Sequence, residues 1–502
     1  MTRSATTAIA VALLAAAPVA AQKKGADPLA GFDAYVAQAV KAWEVPGLAI
    51  AVVKDDSVVF AKGYGVRTLG ATAPVDAHTL FANGSTTKAF TSLSLMMLVD
   101  SGRLRLDDRV EDRWPSFQLY DPYVTRELTI RDLLTHRSGL PEADFLWYGN
   151  DADFAEIVRR MRWVKPATSL RSHFAYENDT YATAGYIAAR AADTTWEALV
   201  RGRIFDPLGM RETTTGTPPE SQPDLATPHF RIDDTVRVIT RYATDNIAPA
   251  GSMYSSVADM AKWIRFLLDS ARVGQKRLLS DSNFAELFRP QMIVGADEFY
   301  PTARLTHPHF TGYGLGWFLE DYRGEYVVFH TGSIDGFVAI VGLIPDRKLG
   351  VVIFANLDHA EVRHALMYRV FDAYIGNPRR DWSAEMLTLY RGIQARARAA
   401  EHALDSARVP NTKPSLPLES YAGTYTDTLY GTVKVRMDGG HLVLEQGYLL
   451  ADLSHWNFDT FQARFRNRWV GETLVSFLLG QDGKVAEISF GDDYRLRRVG
   501  VP

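Results

Sequence analysis

The chain has 502 residues, 47% of them hydrophobic and 23% charged, with a formal net charge of -4 and no cysteine. Such a chain is long enough to build two or three domains whose cores need no disulfides. The composition excludes thiol catalysis, cysteine metal sites and a lipid-modified cysteine, and it carries no basic footprint for nucleic acid or a membrane surface.

The N-terminus, "MTRSATTAIAVALLAAAPVAAQ", places Arg3 before a short apolar run from Ile9 to Ala17, with the small residues Val19-Ala20-Ala21 before Gln22. This is the pattern of a secretory signal peptide over residues 1–21, and the run is too short to span a bilayer. It predicts a secreted or periplasmic protein, and no later segment suggests a membrane anchor. Residues 47–63, "GLAIAVVKDDSVVFAKG", read as a β-hairpin turning at Lys54-Asp55-Asp56. A helix is predicted from Ser85 to the glycine stop at Ser101-Gly102. Further helical patterns follow at 129–141, where Gly139 and Pro141 break the helix, at 179–193, and at 255–271, with Ser255 or Ser256 as N-cap. The period then changes. Residues 326–356 hold β-rich runs with turns at Ser333–Gly336 and Pro345–Lys348. Strands at both ends of a mainly helical middle predict an α+β domain over 22–380, with an antiparallel sheet drawn from the two ends, helices packed on it and a mainly helical insert. Residues 381–414 read as a charged connecting helix and the linker "PNTKPSLP". Short strands with hairpin signals at Asp438-Gly439-Gly440 and Asp482-Gly483 make residues 415–502 a separate all-β domain, a small barrel or curled sheet.

The stretch "FANGSTTKAF" sets Ser85 three residues before Lys88, just ahead of an apolar run. On a helix, positions i and i+3 share a face, so a lysine amine can reach the serine hydroxyl, a poor nucleophile that needs a base. Desolvation can lower the lysine pKa enough for that task. The same spacing also suits an N-cap serine followed by an exposed lysine. Downstream, "YEN" places Tyr176 and Asn178 two apart, and "YGN" does the same with Tyr148 and Asn150. A phenol can relay a proton and an amide can hold a carbonyl or orient the lysine. Spacing does not separate the two pairs; the helix that begins just after Tyr176 favours the first. In "FHTGSIDGF", His330, Thr331 and Gly332 end a predicted strand, where a glycine lets a substrate lie close and the N–H of Ser333 can form an oxyanion hole with the N–H of Ser85. A plain strand end and turn fits the same residues. No GxSxG, HExxH or nucleotide-binding glycine motif is present. His307, His309, His359 and His364 read as loop or surface residues, His136 as a structural residue at a helix end, and Trp147 and Tyr148 as either pocket wall or packing.

"STTK", "YEN" and "HTG" stand in the order and rough separation of the serine β-lactamase and penicillin-binding-protein superfamily. The intervening "LLTHRSGLP", "FDPLGM", "APAGSMYSSVADMAKW", "YGLGW" and "HTGSIDGF" resemble its class C-related branch, over about residues 30–375. The β domain resembles the lipocalin-like appendage of some members. The resemblance implies Ser85 as acylated nucleophile, Lys88 as its base or proton shuttle, Tyr176 as partner acid/base, Asn178 on the substrate amide, and Gly332 and Ser333 along the oxyanion strand. It implies no metal or other cofactor, and a small-molecule or peptide substrate. Many members carry lysine where His330 stands, a cation suited to a substrate carboxylate. Histidine at this place, read as a substrate contact, points instead to esterases and D-amino-acid amidases or aminopeptidases. The alternatives are a β-lactamase or DD-peptidase, a non-catalytic penicillin-binding sensor, or a ligand-binding role for the β domain.

Overall fold

A computed structural model describes residues 27–376, 380–491 and 494–500. The predicted signal peptide, residues 1–21, lies outside the described residues. After helix α1 (Phe32–Ala42), strands β1 (Gly47–Lys54) and β2 (Ser57–Gly65) form the expected hairpin, with Asp55 at φ +56° in its turn, a left-handed conformation that aspartate tolerates. A helical region follows, containing α2 (Lys88–Asp100), α3 (Ile130–Leu134), α4 (Asn178–Ala191) and α5 (Val257–Leu268). Six strands return to the sheet: β3 (Met292–Ile293), β4 (Thr311–Tyr313), β5 (Phe318–Tyr322), β6 (Glu325–Ile334), β7 (Phe337–Ile344) and β8 (Leu349–Ala355). The sheet is antiparallel throughout, in the order β2-β1-β8-β7-β6-β5-β4-β3. The two ends of the domain therefore meet in its middle, where Leu48 lies opposite Ala355 and Lys54 opposite Leu349.

The central strands are buried on both faces, which is why they read as unbroken apolar runs. Ala49, Ala51 and Val53 of β1 face the core built with α2 and α5; Leu48, Ile50 and Val52 face the one built with α1, α6 (Val362–Ile375) and Trp382. Two-residue strand periodicity puts alternate side chains into different cores. Helix α2 has no exposed face from Lys88 to Leu98. Its Leu93, Leu95, Met96 and Leu98 are fully buried, each contributing roughly 1.5–3 kcal/mol relative to exposure. That packing fixes the start of α2, where Ser85 and Lys88 stand.

Two local expectations are corrected. The α-helix begins at Lys88, not Ser85; residues Gly84–Thr87 form a 3-10 turn leading into it. Strand β6 runs on through Ser333 to Ile334, because Ser333 and Ile334 pair with Val338 and Phe337, leaving Asp335 and Gly336 as the turn.

Helix α7 (Trp382–Ser406) leads to a closed eight-stranded barrel: β9 (Gly423–Asp427), β10 (Gly431–Asp438), β11 (His441–Gln446), β12 (Leu449–Asn457), β13 (Thr460–Phe465), β14 (Glu472–Leu479), β15 (Val485–Phe490) and β16 (Tyr494–Arg498). An eight-stranded barrel is just wide enough for side chains to fill it. Here Tyr421, Phe461 and Phe477 meet edge to face at 5.0–5.4 Å in its interior, with Leu444, Val475 and Ile488 also buried. A filled core gives no support to a ligand-binding role for the barrel interior. Among the described residues no helix is long and apolar enough to cross a membrane.

Candidate active site

Ser85 is half-buried while its neighbours Gly84, Thr86, Thr87 and Lys88 are buried. In the 3-10 turn, residues three apart eclipse one another. Lys88 Nζ accordingly lies 3.1 Å from Ser85 Oγ. Its other two contacts are the Asn178 amide oxygen at 2.7 Å and the Ala250 carbonyl at 3.0 Å. Neither oxygen can donate, so together they occupy two N–H groups of the amine. The third position, facing Ser85, holds a proton in the ammonium form and a lone pair in the amine form. Burial lowers the Lys88 pKa to about 7, opposed by the negative charges of Asp144, Glu177 and Asp179. A lysine in this setting can exchange a proton with a neighbouring hydroxyl near neutrality.

The ring of Tyr176 lies 4.7 Å from Lys88 Nζ, and His136 stacks beneath it with ring centroids 4.3 Å apart. His136 Nδ1 accepts the backbone N–H of Glu177, which fixes the segment carrying Tyr176 and Asn178. Burial raises the Tyr176 pKa well above the ordinary phenol value, and a nearby Ser85 opposes that rise without reaching hydrogen-bond geometry to the hydroxyl. The phenol is thus protonated at neutral pH and suited to give a proton, while Lys88 is suited to take one.

Glycines decide how the end of β6 meets the Ser85 turn. Gly84 is at φ +51°, and a Cβ on it would lie 2.7 Å from Ser333 N; a Cβ on Gly332 would lie 1.9 Å from Asn83 O and 2.9 Å from Ser85 N. The Ser85 turn and the end of β6 are therefore packed backbone to backbone, which needs glycine on both sides. From behind, the buried Arg363 of α6 donates to Gly332 O at 2.5 Å, Ser333 Oγ at 3.0 Å and Ala339 O at 3.1 Å. Its guanidinium is paired with Glu361, 3.0 Å away. Burial would push the Glu361 carboxyl up, but Arg363 and His364 hold it far below the usual range.

The structure brings Ser85, Lys88, Tyr176 and Asn178 together and sets Gly332 and Ser333 beside them. It does not bring Tyr148 and Asn150: the Tyr148 hydroxyl donates to Asp335 at 2.7 Å, and Asn150 Nδ2 donates to the carbonyls of Phe145, Leu146 and Tyr148. The expected substrate contact at His330 is corrected. Its side chain is 1% exposed, and both ring nitrogens are occupied. Nδ1 donates to the Thr331 carbonyl at 2.6 Å, so Nε2 accepts the Tyr313 hydroxyl at 2.9 Å. Burial, helped by the Lys88 charge, lowers its pKa to about 3. His330 is a neutral part of the wall behind the site. His364 is also corrected: it is fully buried on α6 and bonded to Glu361, not a surface residue. Ala250, Arg363 and Asp144 escaped the sequence reading. Ala250 works through a carbonyl that every residue has, and the other two act across folds of the chain that no local spacing records. Asp144 accepts from Asn178 Nδ2 at 2.9 Å and from Trp147 Nε1 at 2.8 Å.

Residues 32–374 match the family described as beta-lactamase, and residues 407–498 match a domain of unknown function. The chain is 30% identical to unguisins hydrolase ungD of Aspergillus violaceofuscus over 451 residues, covering 82% of this chain and 77% of that protein. It is 24% identical to protein flp of Staphylococcus aureus strain MW2 over 376 residues, 72% of this chain and 69% of that one. Among solved structures, the octameric penicillin-binding protein homologue from Pyrococcus abyssi shares the fold with a TM-score of 0.60 and 22% identity, covering 93% of this chain and 99% of that one.

Proposed function

The chain belongs to the beta-lactamase family, and on that premise we propose that it is an exported serine hydrolase that cleaves esters, amides or peptides through an acyl-enzyme on Ser85. The observation that carries this reading is the three-way hold on Lys88 Nζ by Ser85, Asn178 and Ala250. In the first step the Lys88 amine takes the Ser85 proton and Oγ bonds to the substrate carbonyl carbon. The oxyanion is held by the N–H groups of Ser85 and Ser333, which favour the tetrahedral state over the planar ground state. Tyr176 gives its proton to the departing oxygen or nitrogen as that bond breaks, and regains one through Lys88. Water then repeats the sequence: the Lys88 amine accepts its proton, the hydroxide adds to the acyl carbon, and Ser85 leaves as Lys88 returns that proton to Oγ. The signal-like N-terminus supports export.

The substrate preference rests on charge. Arg363 stands behind β6 and is engaged by Glu361, and His330 is neutral and enclosed. Neither offers a cation to a substrate carboxylate. Neutral or amine-bearing acyl donors therefore fit better than β-lactams or peptide C-termini. The test is Ser85→Ala beside wild type. Intact mass after treatment with a small alkyl fluorophosphonate should show one adduct on wild type and none on the variant, and p-nitrophenyl ester turnover should fall on the order of 10⁶-fold. Turnover by the variant within tenfold of wild type would remove Ser85 as nucleophile.

A further inference from the structure

In an up-and-down barrel alternate turns lie at the same end. The turns β9–β10, β11–β12, β13–β14 and β15–β16 are therefore neighbours. This end is seated on the loop that carries Asp144. Tyr430 and Tyr494 pack on Phe145 with ring centroids 5.1 and 5.3 Å apart. Tyr448 accepts the Gly149 N–H on its hydroxyl at 3.2 Å. The loop leaves no room to shift toward the barrel: a Cβ on Gly149 would lie 2.4 Å from Leu449 Cδ1, and one on Gly447 would lie 2.1 Å from Gly149 O. Trp469, from the β13–β14 turn, donates to Asp335 Oδ2 at 2.8 Å, the same oxygen that accepts Tyr148 at 2.7 Å. Asp335 stands two residues beyond Ser333, so one carboxylate ties the barrel, the loop and the end of the oxyanion strand together.

On its inner side the loop reaches the chemistry. Asp144 can only accept, and Lys88 donates to the same amide from the other side, so Asn178 has one satisfied orientation: Nδ2 on Asp144 and Oδ1 on Lys88. With the loop displaced, the amide is free to rotate and present N–H groups to Lys88, which breaks the hold that aims Nζ at Ser85. We propose that the barrel end is a working part of the active site: by holding the 144–149 loop it keeps Asp144, as a positioning residue, against Asn178 and so keeps Lys88 aligned with Ser85. The proposal rests on Ser85 being the nucleophile, as argued above.

The test compares full-length wild type with three variants: Asp144→Ala, Asp144→Asn, and the barrel pair Tyr448→Phe with Trp469→Phe, which removes one hydroxyl and the indole N–H and keeps an aromatic ring at each position. The readouts are the rate of Ser85 modification by the fluorophosphonate, kcat and KM on a p-nitrophenyl ester, and the thermal midpoint. Misplacement of a catalytic group by about 1 Å costs on the order of 100-fold. Asp144→Ala should therefore slow modification and kcat about 100-fold with KM within threefold. Asp144→Asn, whose amide oxygen can still accept from Asn178, should recover most of that loss, and should decide the matter if the alanine variant does not fold. The barrel pair should slow modification about tenfold at an unchanged thermal midpoint. Modification of the barrel pair within twofold of wild type overturns the barrel's part, and equal rates for both Asp144 variants and wild type overturn the role of Asp144. A wild type that takes no phosphonate removes the Ser85 reading itself, and this proposal with it.

Discussion

The Asn178 amide oxygen accepts a 2.7 Å hydrogen bond from Lys88 Nζ across 90 residues of sequence. This contact, with the Ala250 carbonyl, leaves the amine a single free direction, toward Ser85. Glu177, Asp179 and Asp144 act on the amine through charge, keeping its pKa from falling further.

The acid limb of activity should therefore belong to Lys88. Its burial-lowered pKa lies at about 7, and only the unprotonated amine can take the Ser85 proton. kcat/KM for a neutral ester should fall tenfold per pH unit well below 7 and level off above it. Glu177→Gln removes a negative charge that favours the ammonium, so the limb should move to lower pH. Neighbouring His136 and His330 are both held below the ordinary imidazole value by burial, and should add no limb between pH 6 and 8 on the reference scale. A pH profile in both proteins checks this; a limb unmoved or raised by Glu177→Gln sinks it.

Tyr176→Phe should cost about 10²–10⁴ in kcat, the usual contribution of a general acid, and more for an amide than for an ester with a good leaving group. Tyr148→Phe, which loses only its hydrogen bond to Asp335, should cost no more than about tenfold, the scale of one neutral hydrogen bond. Side-by-side kcat values on a p-nitrophenyl ester and an anilide measure the difference. Tyr148→Phe proving the more damaging change would reassign the acid.

Gly332→Ala should separate β6 from the Ser85 turn, because the added carbon would meet backbone atoms at Asn83 O that cannot swing aside. The loss of one oxyanion donor costs about 10²–10³ in kcat. Turnover should fall by at least that much, with Ser85 still present and the protein folded by circular dichroism. Wild-type turnover would mean that the strand end and the Ser85 turn do not act as one oxyanion site.

His330→Lys should destabilise the protein without creating a carboxylate site. The new ammonium would be buried against Tyr313, near the Lys88 charge, with no carboxylate among the partners that His330 now uses. An uncompensated buried charge costs about 3–5 kcal/mol. Urea unfolding at pH 7 should show that loss, and hydrolysis of a chromogenic cephalosporin relative to a neutral ester should not rise. A stable variant that gains cephalosporin turnover would place position 330 in contact with substrate.

What the sequence by itself determined is what depends on neighbours within a few residues. Two-residue and helical periods marked the hairpin at β1 and β2, the helices and the barrel strands, because a strand or helix commits each side chain to a face locally. The interval from Ser85 to Lys88 put the amine within reach of the hydroxyl for the same reason, while suiting an N-cap serine and an exposed lysine as well. The order of strands, helices and strands was enough to predict an antiparallel sheet closed by the two ends of the domain, and the pairing of β1 with β8 is that closure.

What only the tertiary structure decided depends on partners far apart in the chain. "YEN" and "YGN" are equivalent as text; Tyr176 and Asn178 reach Lys88 because α4 packs beside α2, while Tyr148 is drawn to Asp335, 187 residues away. His330 lies in β6 next to the site, yet the Tyr313 hydroxyl on β4, two strands away, and the carbonyl of the following Thr331 take both its nitrogens. Lys88 meets Ala250 across 162 residues, and Gly149 meets Tyr448 across 299. Such contacts leave no periodic trace. They exist because closing the sheet, packing the helices and seating the barrel satisfy buried donors and acceptors that local structure leaves unpaired, and each satisfied group is fixed by whichever distant atom the packing brings within about 3 Å.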